Sequence, residues 1–425
     1  MFDGLPDSAR DRLPDSARDR LPDSVLDRLS DSARDRLPDS ARDRLPDSAR
    51  DRLPDSARDR LPDSAEVVVV GGGFAGAATL SALAEAGVRD CLLIEAEDQP
   101  GAHSSGLNAG LLRQVVPDPV TGAVLRASAS RIPGAHRKPV GSLLLLADGE
   151  ADRALAGAAA EAAAAGLDCR VVARAEAARA VPPLAGAAFD RAIATASDAV
   201  VDVHGLLWEY LRAARDGGAR VATGCRLLGV ETSGGAVVAA VTSLGRVATR
   251  VLVDAAGAWA NGVAGLAGLD PLPMTPFRRH LAVTPPVPFV DPGWPFVWHA
   301  SAGWYFRPEV GGLLLCACDE DAAAPGAAVR DPAILEVLAT KLAAGAPALA
   351  GLAVKHWWAG LRTITADGRF AIGPDPRLSG FFWVAGLGGH GVTGSAAAGR
   401  LAAAAITGAG ADPAWRTALA PGRFL

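Results

Sequence analysis

Tyrosine and methionine are nearly missing from this 425-residue chain, with two of each, and only Lys138, Lys341 and Lys355 supply lysine among 42 basic residues. The five cysteines are odd in number and scattered, and Cys316 and Cys318 stand one residue apart, which is neither metal-ligand nor redox spacing. They read as small buried hydrophobes in a reducing compartment. The seven histidines fall at no metal-binding spacing, so no metal is expected. Long apolar runs are absent too: none approaches the roughly 18 residues of a membrane helix. The N-terminus has no basic-then-apolar leader, so the expectation is a soluble, cytoplasmic protein with no membrane span. The net charge of −5 includes −3 from the first 64 residues, which hold 13 Arg and 16 Asp. No basic patch invites nucleic acid.

What is present first is a repeat. Residues 5–64 run through seven full copies of "LPDSARDR", two of them degenerate, and a truncated eighth. A proline every eight residues prevents a long helix, and one leucine and one alanine per unit cannot bury a core. Segment 1–64 is therefore expected to be disordered, with a docking arm as the alternative reading. From residue 66 the texture changes. Residues 66–70 and 90–95 read as buried parallel strands around a helix at 74–86. Helices are expected near 153–165 and 203–216, with strands at 220–231, 236–243 and 249–254. The proline- and aromatic-rich stretch 266–355 suggests an antiparallel sheet.

The chemistry begins at "VVVVGGGFAG", residues 67–76. Gly71-x-Gly73-Phe74-Ala75-Gly76 follows a strand and opens a helix, and Glu95 lies 19 residues after Gly76 at the end of the next strand. The first glycine allows the tight turn, the second the approach of a pyrophosphate, the third close helix–strand packing, while Glu95 accepts from ribose hydroxyls. A dinucleotide site is expected. A second match, Gly386-x-Gly388-x-x-Gly391, also joins a strand to a helix, but no further strand completes a nucleotide fold. It presents N–H groups at a helix N-terminus for some other purpose.

"DQPGAHSSGLNAGLL", "VLVDAAGAWANGVAGLAG", "GWYFRPEVGGLLL", "WWAGLRTITADGRFAIGPDP" and "FFWVAGLGGHGVTGSAAAGRLAA" follow in that order. Together they resemble the D-amino-acid-oxidase (DAO) superfamily of FAD-dependent oxidoreductases over about residues 66–410. That group includes glycine and sarcosine oxidases and D-amino-acid dehydrogenases, and two of the motifs look closest to D-arginine-dehydrogenase-like members. The resemblance implies an α/β architecture: a Rossmann-like FAD-binding domain with a discontinuous antiparallel-sheet substrate domain. The FAD domain would comprise 65–140, 197–265 and 356–425, the substrate domain 141–196 and 266–355. FAD would be non-covalent, since no cysteine lies in the C-terminal flavin segment and no histidine takes the attachment place, His103 being a stray.

By position in the motifs, Gly71, Gly73, Gly76 and Glu95 would hold the ADP half, while Ser105, Asn108, Ala109 and Gly110 would lie along the pyrophosphate and isoalloxazine. Leu227 would offer its backbone to adenine, and Ala256 and Gly257 would close over the cofactor. The turn Gly388, Gly389, His390, Gly391, Val392 and Thr393 would sit at the flavin's pyrimidine edge, where N–H donors stabilise negative charge. Arg362 would clamp a substrate carboxylate through its bidentate fork, with Tyr305 as second partner. Arg279 or its neighbour Arg278 would add positive charge, His390 would face substrate or serve structure, and Trp357 and Trp358 would be core and pocket wall. Leu111 and Val116 stand where basic-substrate relatives carry polar or aromatic groups, which speaks against a basic D-amino acid.

The implied reaction is oxidation of the C–N bond of an amino acid or N-alkyl amino acid, by hydride transfer from the α carbon to flavin N5. Oxygen or a quinone-type acceptor would take the electrons. The alternatives are a 2-hydroxy-acid or glycerol-phosphate-type dehydrogenase and a flavin-binding subunit of a hetero-oligomer.

Overall fold

The computed structural model describes residues 61–147, 149–410 and 413–425; the repeat lies outside them except for its last four residues. Four consecutive valines, Val67–Val70, form a fully buried strand. Because side chains alternate across a strand, Val67 and Val69 enter one hydrophobic core and Val68 and Val70 another. This strand lies inside a six-stranded sheet ordered Ala371–Pro374, Phe381–Ala385, Val251–Asp254, Val67–Val70, Cys91–Ile94, Arg220–Ala222. All neighbours are parallel except the Ala371–Pro374 edge. One face packs against helices Phe74–Glu85, Pro119–Ala129, Val203–Asp216 and Gly391–Thr407. The other meets a three-stranded antiparallel sheet (Leu227–Ser233, Ala236–Thr242, Gly245–Ala248) and helix Ala260–Leu266.

The second large sheet has nine strands. Its order is Asp321–Ala322, Met274–Val283, Gly312–Cys316, Trp304–Glu309, Phe296–His299, Ser142–Leu146, Arg191–Thr195, Cys169–Ala173, with His356–Thr365 also pairing Met274–Val283. It is antiparallel apart from the parallel pair Phe296–His299 and Ser142–Leu146. A third, short sheet joins Leu111–Leu112, Ala199–Val201 and Arg137–Pro139.

The α/β fold with two large sheets matches the sequence reading, and four local details differ. The stretch 220–231 is two strands in different sheets, because residues 223–226 turn the chain from the parallel sheet into the antiparallel one. His356–Thr365, expected with the C-terminal cofactor segment, pairs along its whole length with Met274–Val283 in the nine-stranded sheet. Helix Ala333–Gly345 interrupts the expected all-strand stretch and buries Ile334, Leu338 and Leu342, a spacing of four that marks one helical face. Helix Pro119–Ala129 begins at a proline and is capped by Asp118, whose side chain accepts from the Thr121 N–H. That is an N-terminal signal the sequence carries openly. Among the described residues no helix is long and apolar enough to cross a membrane.

The last long helix sits close to the dinucleotide helix because small residues face each other. A Cβ at Gly399 would run into the backbone of Ala78 and Thr79. By contrast, Gly157 is exposed within helix Glu150–Ala164 and nothing surrounds its Cβ position. Gly399→Ala should therefore lower the thermal midpoint, at a cost of about 1–3 kcal/mol for overpacking. Gly157→Ala should raise it by up to about 1 kcal/mol. Thermal unfolding of both variants checks the packing; equal effects would contradict it.

Candidate active site

The carboxyl ends of the parallel strands open into a cleft of ≈ 440 Å³. At one end the Gly71–Gly76 turn forms its floor. Gly71 takes φ +105° and a Cβ at Gly76 would run into the Gly71 carbonyl, so both positions demand glycine. Glu95 is already fixed: its Oε2 accepts from Gly72 N–H at 2.6 Å and its Oε1 from Glu97 N–H at 2.9 Å. Each oxygen keeps a lone pair for a ribose hydroxyl. Ser105 Oγ accepts from Phe74 N–H at 3.0 Å, placing a hydroxyl at the helix N-terminus where a pyrophosphate would rest. His103 lies 3.1 Å from Glu97 and packs at a tilt against Trp259 with ring centroids 4.6 Å apart. Cradle, carboxylate and free helix end together fit an adenine dinucleotide.

The opposite end of the cleft is built by two elements that meet there. Strand Phe381–Ala385 leads through Gly386 (φ +67°) and Gly388 (φ +54°) into helix Gly391–Thr407. Beside this turn stands Arg362, buried to 8 % exposure. Its Nη2 donates to Leu107 O at 2.9 Å and its Nη1 to Leu361 O at 3.1 Å. Only carbonyls receive it; no ion pair to Arg362 forms among the described residues.

The register of the nine-stranded sheet explains what Arg362 sees. Residues paired across antiparallel strands share a face, as do i and i+2. Arg279 pairs with Gly360 and Leu281 with Trp358, while Tyr305 pairs with both Trp298 and Cys316. Arg362, Trp358, Arg279, Leu281, Cys316, Tyr305 and Trp298 therefore share one face, and Tyr305, Leu281 and Cys316 pack there with Ala109. The Trp358 indole N–H is buried without a partner. Trp357, pointing the other way, joins the sheet's far core.

Charge on this face is one-sided. Burial lowers the pKa of Arg362. Arg279 is held by Asp319 O at 2.7 Å and Glu320 at 2.6 Å. Burial pushes the Tyr305 phenol well above its ordinary value, so it stays neutral and able to donate. Burial, with Arg113 and Arg279 adding repulsion, drives His390 down to about 3. His390 is neutral at ordinary pH and is no standing proton donor. Cys316 opposes its own burial through a hydrogen bond from Cys318 and the Arg279 charge, bringing the thiol down to about 7.

The cleft brings together Gly71, Gly73, Phe74, Ala75, Glu95, Ser105, Asn108, Leu227, Ala256, Gly257, Gly388, Gly389, Gly391, Val392 and Arg362. Six anticipated residues do not line it. Gly76 serves packing, as above. Ala109 and Tyr305 lie in the adjoining core. Gly110, fixed by Asn108 Oδ1 on its N–H at 2.6 Å, borders a separate groove. Thr393 ties the helix to the loop, accepting from Arg113 N–H at 3.1 Å and donating to Leu111 O. His390 stands by Arg113 and Arg279.

The sequence reading passed over Arg113, whose guanidinium carbon sits 3.8 Å from the centre of the Trp298 ring, and treated Cys316 as filler. Neither carries a motif; only sheet register and chain crossing bring them to Tyr305. Replacing Glu95 by Ala should weaken dinucleotide retention about 10- to 100-fold, the worth of charged hydrogen bonds. Cofactor loss on dialysis measures this, and unchanged retention would remove Glu95 from the site.

The family of FAD-dependent oxidoreductases designated DAO matches residues 66–405. The chain is 26% identical over 361 residues to mitochondrial sarcosine dehydrogenase of Mus musculus, covering 77% of this chain and 38% of that protein. The matches to the curated relatives span only 35–38% of their length. In structure the chain is similar to L-proline dehydrogenase from P. horikoshii (TM-score 0.78, 24% identity, covering 86% of this chain and 98% of that one). It is also similar to glycine oxidase from Geobacillus kaustophilus (TM-score 0.74, 21% identity, covering 86% and 100%); at these identities the two establish the fold. With the family match running from the first strand of the parallel sheet into the last long helix, the chain belongs to the DAO family of FAD-dependent oxidoreductases, and FAD is its cofactor.

Proposed function

We propose that this protein oxidises the C–N bond of an amino acid or N-alkyl amino acid whose carboxylate is bound by Arg362 and Tyr305. The observation that carries the proposal is Arg362 itself, a buried guanidinium with only carbonyl partners at the ring end of the cleft. A buried cation without an anion is costly, and a planar carboxylate matches its fork. The relatives' names (sarcosine, L-proline and glycine) share the amino-acid class, and we extend that class to this chain.

The residues divide the work. Gly71, Gly73 and Glu95 hold the adenine end of FAD, and Ser105 and Asn108 order the loop along its middle. The turn at 386–392 offers N–H groups to the flavin's pyrimidine edge. The attachment is non-covalent: the ring-end lining residues include no cysteine, and His103 is engaged by Glu97 and Trp259 at the other end. When bound, FAD supplies two-electron oxidation, with N5 as acceptor. Arg362 and Tyr305 would hold the substrate by its carboxylate and so orient its α carbon for oxidation by the cofactor. The α carbon loses a hydride, the nitrogen lone pair closes the C=N bond, and the nitrogen releases a proton. Water then adds to the imine and the C–N bond breaks, giving an oxo acid and an amine. The reaction needs no obligate general base on this face when the substrate amine enters unprotonated, and His390, driven down to about 3, is too weak a base to supply one. The cofactor domain comprises 65–140, 197–265 and the C-terminal segment, with strand His356–Thr365 contributed to the substrate sheet.

Arg362→Met should reduce kcat/KM for the best amino acid about 100-fold, the scale of a lost charged hydrogen-bond pair. Most of the loss should appear in KM or in the Kd of the reductive half-reaction. Arg362→Lys should recover part of the charge but not the fork, and Tyr305→Phe should cost about 10-fold. Rapid-mixing measurements of flavin reduction check all three. Unaltered substrate affinity in Arg362→Met would overturn the assignment.

A further inference from the structure

The pocket face holds more positive charge than one amino-acid carboxylate can use. Arg113 follows the short strand Leu111–Leu112, its N–H held by Thr393 at the start of the last long helix. Its guanidinium carbon sits over Trp298, 3.8 Å from the ring centre, and the same ring sits 4.8 Å from Tyr305, centroid to centroid. Tyr305 and His390 both feel its charge. Arg113 therefore stands at Trp298 and Tyr305, on the sheet face that also carries Arg279 and Arg362, beside the cleft that Arg362 lines.

The three arginines are not equivalent. Arg279 is already paired with Glu320 at 2.6 Å. Arg362 and Arg113 each lack an ion pair among the described residues. The strongest attraction on Arg113 comes from Asp198, but that carboxylate is occupied: Ser142 donates to one oxygen at 2.7 Å, and the Gln114 backbone and side chain donate to the other. Burial moves the Arg113 pKa down to about 10, which leaves it charged at neutral pH. Two guanidinium groups on one face, neither in a direct ion pair among the described residues, can receive two anionic groups, with Asp198 acting on Arg113 only from beyond contact. The Trp298 ring supports the Arg113 guanidinium from one side, and a guanidinium fork matches a planar, bidentate acceptor.

We propose that the substrate is a dicarboxylic amino acid, with one carboxylate on Arg362 and Tyr305 and the second received by Arg113. Two arrangements meet this description: an N-carboxymethyl amino acid and an amino acid with a short acidic side chain. This inference deepens the function proposed above and rests on Arg362 as the first carboxylate site.

The test separates binding from turnover. FAD-loaded protein is titrated with non-oxidisable acids, acetate and propionate against malonate, succinate and glutarate, and binding is read as the perturbation of the visible flavin spectrum. A dicarboxylate of matching length should bind about 30-fold more tightly than the monocarboxylates, the scale of one charge-assisted hydrogen-bond pair. Arg113→Gln should erase most of that advantage, and Arg113→Lys should restore part of it. Arg362→Met should weaken both classes. An equal loss for mono- and dicarboxylates in Arg113→Gln, or no dicarboxylate advantage in the parent protein, would overturn the second-carboxylate site. A parallel anaerobic panel of iminodiacetate, aspartate and glutamate against glycine and sarcosine reports the reaction. If monocarboxylic amino acids alone reduce the flavin, the diacid inference fails and the amino-acid function stands. If no amine reduces it, the function fails, and the spectral titration still decides the second site.

Discussion

A buried cation with no ion pair among the described residues organises the site. Arg362 reaches its place because His356–Thr365 pairs along ten residues with Met274–Val283, and its guanidinium is steadied by two carbonyl oxygens, one of them from the loop at Leu107. That loop also carries Ser105 and Asn108, which order the middle of the cofactor cleft. One side chain thus spans the substrate sheet and the cofactor loop. Its charge is held in a low-dielectric setting, where a carboxylate gains far more than it would in water. Arg113, clamped on Trp298, repeats the device on the Tyr305 side of the same face.

The cofactor end works by the opposite means. There Glu95 is held by backbone N–H groups, and the glycine turns present mostly backbone. The tight Gly71–Gly76 turn and the turn at 386–391 each present N–H groups at a helix N-terminus, one proposed for a pyrophosphate and one for the electron-rich edge of a reduced ring. Both turns lie at the carboxyl ends of strands in a single sheet, Val67–Val70 and Phe381–Ala385. The two glycine motifs, alike in spacing, line one cleft, and in the proposed reading they serve opposite ends of one ligand.

Much of this was legible in the sequence, and the parts that were not share a physical cause. Val67–Val70, the dinucleotide turn and Glu95 are local: a buried run, glycines at fixed offsets and a carboxylate at the next strand end can be read in order. Arg362 and Tyr305 came from motif resemblance, and no local pattern marks either as a ligand. Arg113 stayed hidden because its neighbours are nonlocal: Trp298, Tyr305 and Thr393 are brought to it only by the pairing of strands far apart in the chain. Cys316 was passed over for the same reason, since its spacing to Cys318 says nothing, whereas its register opposite Tyr305 places it on the pocket face. The break at 223–226 was missed because strand propensity persists on both sides of a change of sheet.

The most direct test of the account is anaerobic mixing of the FAD-loaded protein with a panel of glycine, sarcosine, proline, iminodiacetate, aspartate and glutamate, followed in the visible flavin band. The account predicts stoichiometric uptake of FAD and rapid bleaching by at least one of these amino acids, with the corresponding 2-hydroxy acids inert. A chain that retains no FAD, or a bound flavin that stays oxidised with every amine and bleaches with a hydroxy acid, would contradict it.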